Sequence, residues 1–301
     1  MSPVPRVSVV VPAYNRQATI MRAIDSILTQ DFSDFELIVA DDGSTDGTRE
    51  LVRGIADSRI RLLERGVNGG AAAARNSGVL AARAPYIAFL DSDDRFLPGK
   101  LSIQYAALTS APATVRLSCT AYRIELIDQN RIIDSIHTPA MGQFGGLYNG
   151  CSLGPGSTLM CARKVFDDIG IFDTTLSRFE DWEWLIRYAA TGGEILLVNE
   201  ILSYVYNRRG RLARQTYEAA EGFIAKRDRL YPQIPLAQRR QSDFSIWSQV
   251  AGTGYYAGDK SIFALASWRA LRASPSAVAK SATRFLLGRS AQSVSGTSPE
   301  R

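Results

Sequence analysis

Only three cysteines, Cys119, Cys151 and Cys161, and a single histidine, His137, occur in 301 residues. The cysteines are spaced neither as a metal-binding set nor as a complete disulfide framework, which excludes zinc on thiolates and suits a reducing cytoplasm. The opening residues Met1-Ser2-Pro3-Val4-Pro5-Arg6 lack the basic start, apolar stretch and small-residue cleavage site of a secretory leader, so the mature chain is expected to begin at Met1. Residues 135–162 contain no Lys, Arg, Asp or Glu, but their Gly, Pro, Asn and Gln oppose a spanning helix, and no transmembrane segment is expected. Acid is missing from a second stretch. Between Lys260 and Arg289 stand Lys260, Arg269, Arg272, Lys280, Arg284 and Arg289 with no Asp or Glu. Interleaved with Trp268, Leu271, Val278, Phe285 and Leu286, these cations describe a helical appendage with a solvated basic face, or an amphipathic surface making peripheral contact with an anionic membrane. Nucleic acid is not expected as a partner.

With 46% hydrophobic residues the chain can bury one large core and a smaller appendage. Val7 to Val11 is a continuous β-branched run ended by Pro12, the pattern of a central parallel strand. Ile20, Ala23, Ile24, Ile27 and Leu28 then recur at the spacing of one helical face. Strand signals at Phe35–Ala40, Ile60–Leu63 and Tyr86–Leu90 alternate with helical ones at Leu51–Ile55 and Ala71–Ala82. This is an α/β pattern: a mostly parallel central sheet with helices on both faces, whose ligands bind at the carboxyl ends of the strands. A further helix is expected from about Pro98 to Thr109 and a strand from Val115 to Leu126. The expected organisation is a catalytic domain over 1–217, a helical extension over 218–289 and a disordered Ser-rich tail over 290–301.

The first strand is followed by Pro12-Ala13-Tyr14-Asn15 rather than a Gly-x-Gly-x-x-Gly turn, and no Gly-Lys-Ser/Thr loop exists, which argues against dinucleotide and P-loop chemistry. A nucleotidyltransferase would want a Gly-rich basic signature in the same place, and that too is missing. Instead, acidic clusters stand at two predicted strand ends: Ala40-Asp41-Asp42-Gly43 and Asp91-Ser92-Asp93-Asp94. Hard oxygen donors of this kind suit Mg²⁺ or Mn²⁺ bridged to the phosphates of a nucleotide, whereas an imide base edge offers a donor that a carboxylate can accept.

Four motifs in register with this strand pattern, Val-Val-Val-Pro-Ala-Tyr-Asn, Asp-Asp-Gly-Ser-Thr-Asp-Gly-Thr, Asn68-Gly69-Gly70 through Arg75-Asn76, and Asp91-Ser92-Asp93-Asp94, closely resemble the family 2 glycosyltransferases over roughly Val7 to Arg211. The resemblance implies a GT-A fold and an inverting hexosyl transfer from a nucleotide-diphosphate sugar, by default a UDP-sugar, to a glycan or lipid-linked acceptor in polysaccharide or glycolipid synthesis. It implies that Pro12, Ala13, Tyr14 and Asn15 line the nucleoside site, that Asp42 meets the base with Asp41 beside it, and that Asp91, with Ser92, reaches the ribose or sugar. Asp93 would hold the metal, while Asn68, Gly70, Arg75 and Asn76 complete the donor site. Glu180-Asp181 resembles the family's acidic pair at the start of a helix, making Asp181 the candidate catalytic base, with Glu180 and Trp182 at the leaving group or acceptor. Of Trp182 and Trp184, one is expected in the core.

Many relatives carry a metal-ligating His after the Tyr-rich strand, but here Leu202-Ser203-Tyr204-Val205-Tyr206-Asn207 leads to Arg208-Arg209-Gly210-Arg211. Arg208 and Arg209 are therefore candidates to neutralise the leaving diphosphate. His137 is expected on the surface or in an acceptor loop. The competing expectation for the whole chain is a sugar-nucleotide-binding protein without turnover.

Overall fold

The computed structural model describes residues 4–207 and 213–275. Two compact units make up the chain, Met1–Arg209 and Gly210–Arg301.

In the first unit, β1 (Val7–Ala13) is buried along its whole length and lies between two parallel partners, β2 (Phe35–Asp41) and β4 (Tyr86–Phe89), with β3 (Ile60–Glu64) parallel to β2. A fully buried strand needs no alternation, which is why β1 reads as an unbroken apolar run. The intervening helices are α1 (Ile20–Leu28), α2 (Thr48–Arg53) and α3 (Gly70–Ala81). α1 buries Ile20, Ala23, Ile24 and Ile27 against the sheet. α3 approaches β1 so closely that a Cβ on Gly78 would stand 2.3 Å from a Val10 methyl, so its small residues are a packing requirement.

Beyond β4 the sheet becomes mixed. The short β5 (Arg95–Phe96) and α4 (Lys100–Ser110) precede β6 (Val115–Leu126) and β7 (Arg131–Ser135). The uncharged segment forms the short α5 (Phe144–Asn149) and α6 (Pro155–Thr158) and ends in β8 (Leu159–Ala162); α7 (Lys164–Ile169), α8 (Glu180–Ala190) and β9 (Glu194–Asn207) follow it. The strand order is β3-β2-β1-β4-β8-β6-β9-β5, with β7 on β6. β8 runs antiparallel to both β4 and β6, whereas β6 and β9 are parallel. Because β1 pairs on one side with β2 and on the other with β4, the carboxyl ends Asp41 and Leu90–Asp91 flank that of β1, the switch point at which open α/β sheets bind ligands.

The second unit is helical: α9 (Ala213–Leu230), α10 (Leu236–Ala257) and α11 (Lys260–Ala273). The expected boundary after residue 217 falls inside α9. Phe223, Ile246, Val250 and Ala266 are fully buried here, and the α10–α11 crossing is tight at Gly254, where a Cβ would lie 2.7 Å from the Phe263 amide. Asp259 caps α11 by accepting from the Ile262 amide at 3.0 Å.

Candidate functional site

Asp41 and Asp42 close β2 and are almost fully buried. Asp41 Oδ1 accepts from the Ser44 amide at 3.0 Å and from Arg49 Nε at 2.5 Å, while Oδ2 has no partner. Asp42 is the better satisfied. It accepts from Arg65 Nε at 2.8 Å, from the Gly69 amide at 3.0 and 3.1 Å, and from the Gly70 amide at 2.7 Å. Those amides are the first donors of α3, which have no partner within a helix, so Asp42 caps a helix 27 residues downstream. Asn68 contributes to the same turn, its Oδ1 accepting from the Gly70 amide at 3.1 Å.

The loop after β1 ties this wall to the second acidic cluster. Tyr14 is exposed at the end of the strand, whereas Pro12 and Ala13 are buried within it. Asn15, at φ 52°, donates its amide to Ser44 Oγ at 2.9 Å and accepts from the Thr45 amide at 2.8 Å. Arg16, a residue that the sequence reading passed over, donates to Ser92 Oγ at 3.3 Å and approaches Asp93 at 3.5 Å. Arg22 donates to the Asp93 carbonyl at 2.5 Å and lies 3.8 Å from the centre of the Tyr206 ring. The only sequence signal for either cation was its position just past the first strand.

At the second cluster the carboxylates repel one another. Burial and the Asp91 charge hold the Asp93 carboxyl above the usual range, although Arg16 and Arg22 oppose the shift. Asp94 is pushed well above it by burial and by both neighbours; its oxygens accept from Ser157 Oγ at 2.5 Å and from the Tyr206 amide at 2.9 Å. Asp94 is thus an anchor between β4 and β9, while the Asp91 and Asp93 side chains, at 36% and 39% exposure, are half-buried and keep part of their surface open to solvent.

Asp91 leads to the third motif. Arg75, on α3 and buried, donates to Asp91 Oδ1 at 2.6 Å and to Glu180 at the start of α8. Asp181 follows, and burial together with the Glu180 charge pushes its carboxyl up to about 7, against the opposing pull of Arg75. Phe179 enters the helix at φ 66°, a left-handed conformation costly for an aromatic residue, which turns the chain so that Glu180 and Asp181 occupy the first helical turn. Asp91, Arg75, Glu180 and Asp181 therefore form one electrostatic group, assembled from three distant stretches of chain.

Other expected site residues lie elsewhere. Asn76 is turned away from this group: its side-chain amide donates to the Phe172 carbonyl at 2.8 Å and accepts from the Phe172 amide at 2.9 Å, clamping the segment before α8. Both tryptophans are core residues. Trp182 is 3% exposed with its indole N–H on the Leu147 carbonyl at 2.6 Å, and Trp184 stacks on Phe166 at 4.7 Å. Burying both is possible because α8 is covered on one side by α5 and on another by the Phe166–Phe172 cluster. His137 is not at the surface: it is 3% exposed, bonded through Nε2 to the Thr120 carbonyl at 2.8 Å, and burial lowers its pKa. Arg208, Arg209 and Arg211 lie outside the described residues.

The α6 turn contains two residues that the sequence reading missed. Ser157 Oγ accepts from the Asp91 amide at 3.1 Å while donating to Asp94, and its carbonyl accepts from Ser203 at 2.6 Å. Gly156 presses on Asp91 from the same turn; a Cβ there would lie 2.4 Å from Asp91 Oδ2. Gln104 and Lys100 hold the Thr158 carbonyl from behind at 2.9 and 3.2 Å.

No group of three or more His, Cys, Asp or Glu side chains suited to a metal occurs among the described residues. Asp91 and Asp93 nevertheless suit a hard cation held by one or two carboxylates and completed by phosphate oxygens and water. Both face solvent, and their mutual repulsion favours a positive charge between them.

The family model for glycosyl transferase family 2 matches residues 8–170. Over 148 residues, 49% of this chain, the sequence is 36% identical to the UDP-Glc:alpha-D-GlcNAc-diphosphoundecaprenol beta-1,3-glucosyltransferase WfgD of Escherichia coli. That match spans 57% of the relative's length. The S. aureus TarS 1-349 structure in complex with UDP-GlcNAc superposes with a TM-score of 0.60 at 18% identity, over 89% of each chain. Mannosyltransferase PcManGT from Pyrobaculum calidifontis, in complex with GDP-Man and Mn²⁺, gives a TM-score of 0.56 at 18% identity, over 98% of this chain and 82% of that one.

Proposed function

This chain belongs to glycosyl transferase family 2, and from that premise we propose that it transfers a hexosyl group from a UDP-sugar to a hydroxyl of a lipid-linked glycan acceptor, with inversion. The observation that carries the proposal is the Arg75 bridge. One guanidinium joins Asp91, at the edge suited to the donor's diphosphate, to Glu180 beside a carboxyl pushed up to about 7. A base whose pKa is near neutrality accepts a proton readily while a substantial fraction of it stays ionised at neutral pH.

In this reading Tyr14 stacks on the base, Asp42 and Asp41 form the wall that the base edge meets, and Asp91 with Arg75 orients the ribose and sugar. Asp93, with Asp91, would hold a divalent cation, which when bound would neutralise charge on the departing nucleoside diphosphate. Asp181 takes the acceptor's proton as its oxygen bonds to the anomeric carbon and the sugar–phosphate bond breaks, in a single displacement without a sugar–enzyme intermediate. UDP-sugar donors agree with the TarS complex and a lipid-linked acceptor with the substrate in the name of WfgD. Arg208 and Arg209 are proposed to meet the leaving phosphates. Peripheral membrane contact by the C-terminal unit completes the reading.

The test is nucleotide release from a panel of UDP- and GDP-sugars with Mn²⁺, for the native chain and Asp181→Asn. Release by the native chain alone supports the proposal; donor binding without turnover on any acceptor, or equal turnover in both, refutes it.

A further inference from the structure

In the second unit, α11 buries a narrow stripe and leaves a wide apolar one outside. Ile262, Ala266 and Ala270 face the unit's core at fourfold spacing. On the opposite side Leu265, Trp268 and Leu271 recur every third residue and remain 42%, 51% and 45% exposed. Tyr255, 66% exposed, and Phe263, 42% exposed, form a separate aromatic contact at the α10–α11 turn, with ring centroids 5.8 Å apart. A helix that served only to cover the unit's core would carry polar residues at those positions.

The charges around the stripe favour one kind of occupant. Lys260 begins the helix, and the Arg272 guanidinium lies 4.6 Å from the centre of the Trp268 ring, so an indole and a cation are presented together. Arg269 is engaged inward, with Glu221 at 2.6 Å and over Trp247 at 4.6 Å, leaving Lys260 and Arg272 as the outward cations of α11. The sequence supplies Lys280, Arg284 and Arg289 after the helix and no acid anywhere from Lys260 to Arg289. A protein partner would meet this surface with a mixture of charges. An anionic lipid surface meets it with one sign over an apolar layer, the environment for which Trp, Leu and Arg on one helical face are suited. We propose that the outer face of α11, centred on Leu265, Trp268 and Leu271, lies in the interface of an anionic bilayer, with Lys260 and Arg272 at the phosphate level. This inference deepens the membrane contact named above by giving it a surface, and it does not depend on sugar transfer.

Sedimentation of the full chain with vesicles of phosphatidylglycerol and phosphatidylethanolamine, against vesicles of phosphatidylcholine alone, tests it without any sugar donor. The expected result is binding to the anionic vesicles only, weakened by high salt and reduced about tenfold or more in Trp268→Ala/Leu271→Ala. Leu236→Ala, which removes another exposed apolar side chain outside the patch, leaves binding unchanged. Brominated lipid quenches native tryptophan fluorescence, and Trp268→Phe removes most of that quenching while binding persists. Circular dichroism of each variant matches the native chain, because the altered side chains are outside the core. The proposal is overturned if anionic and neutral vesicles bind equally, if the double variant binds as well as the native chain, or if that variant instead turns a self-associated chain into monomer, which would make a second copy the occupant.

Discussion

Two strand ends, one either side of β1, each carry adjacent aspartates, and the structure treats them in opposite ways. At the end of β2, Asp41 and Asp42 accept five different N–H groups between them, from Ser44, Arg49, Arg65, Gly69 and Gly70, and serve as fixed struts for the turns around them. At the end of β4, Asp91, Asp93 and Asp94 are close enough to feel one another's charge, and the carboxyls of Asp93 and Asp94 are raised by burial and that repulsion. Carboxylates held by N–H donors build a wall, with only Asp41 Oδ2 of that pair left without one. On the other side Asp94 is a buried anchor, and only the partly exposed Asp91 and Asp93 leave an edge suited to a positive charge. Identical residues at equivalent edges therefore sit in different electrostatic settings, and on our proposal the β2 pair chiefly braces the wall of the site while the β4 group takes part in the chemistry.

The strongest way to sharpen that contrast is at the far end of the β4 group, where Arg75 links Asp91 to the first turn of α8. Asp181→Asn is expected to lower turnover by about 10³-fold, within the range of a lost general base, while nucleotide affinity measured by calorimetry changes little. Undiminished turnover would remove Asp181 from the mechanism. Next, stability should respond in opposite senses at the two edges. Asp42→Ala removes an acceptor shared by the Gly69 and Gly70 amides and Arg65, of which Gly70 keeps Asn68 and Arg65 keeps the Ala73 carbonyl, and is expected to cost about 1–2 kcal/mol in urea denaturation. Asp93→Ala relieves repulsion and should leave stability unchanged or higher by a few tenths of a kcal/mol, while abolishing the gain in nucleotide affinity on adding Mn²⁺. Equal losses at both positions would break the comparison.

A smaller effect is expected at the α6 turn. Gly156→Ala forces Asp91 to move, since its new Cβ would overlap the carboxylate, and should lower kcat/KM roughly tenfold with the melting temperature nearly preserved. The mildest signature is in pH. Asp181 binds its proton more tightly when folded than at the ordinary value of 3.8, so its contribution to stability is present at low pH and is lost as pH rises through about 7. Activity has the opposite sign: kcat/KM should climb with an apparent pKa of about 7, and the residual activity of Asp181→Asn should lack that limb.

Much of this contrast was legible in the sequence because the relevant signals are local. β1 is a buried run, α1 repeats its apolar residues every three or four positions, and both acidic clusters stand immediately after apolar strands. The division of labour between the clusters was half legible: both were read as ligand contacts, yet the four N–H contacts to Asp42 come from residues 23 to 28 positions away, and no spacing within the motif announces them. Asn76 looked like a donor contact for the same reason, its partner Phe172 being 96 residues distant. Ser157 and Gly156 lie in an uncharged segment without periodicity, and only their arrival against Asp91 gives them a role. His137 was expected on the surface or in an acceptor loop because it lies in the uncharged Gly-rich region; its burial is accommodated by the Thr120 carbonyl that β6 offers to its ring.

Short-range chemistry, set by side-chain period and by which residues follow each strand, determined from sequence alone that an α/β sheet would present acids at its carboxyl edge. Which of those acids are neutralised and which remain exposed to one another was decided only by the tertiary structure. The electrostatic state of a carboxylate depends on charges and donors within a few ångströms, and in this chain those arrive from as far as 112 residues away, as the Tyr206 amide does at Asp94.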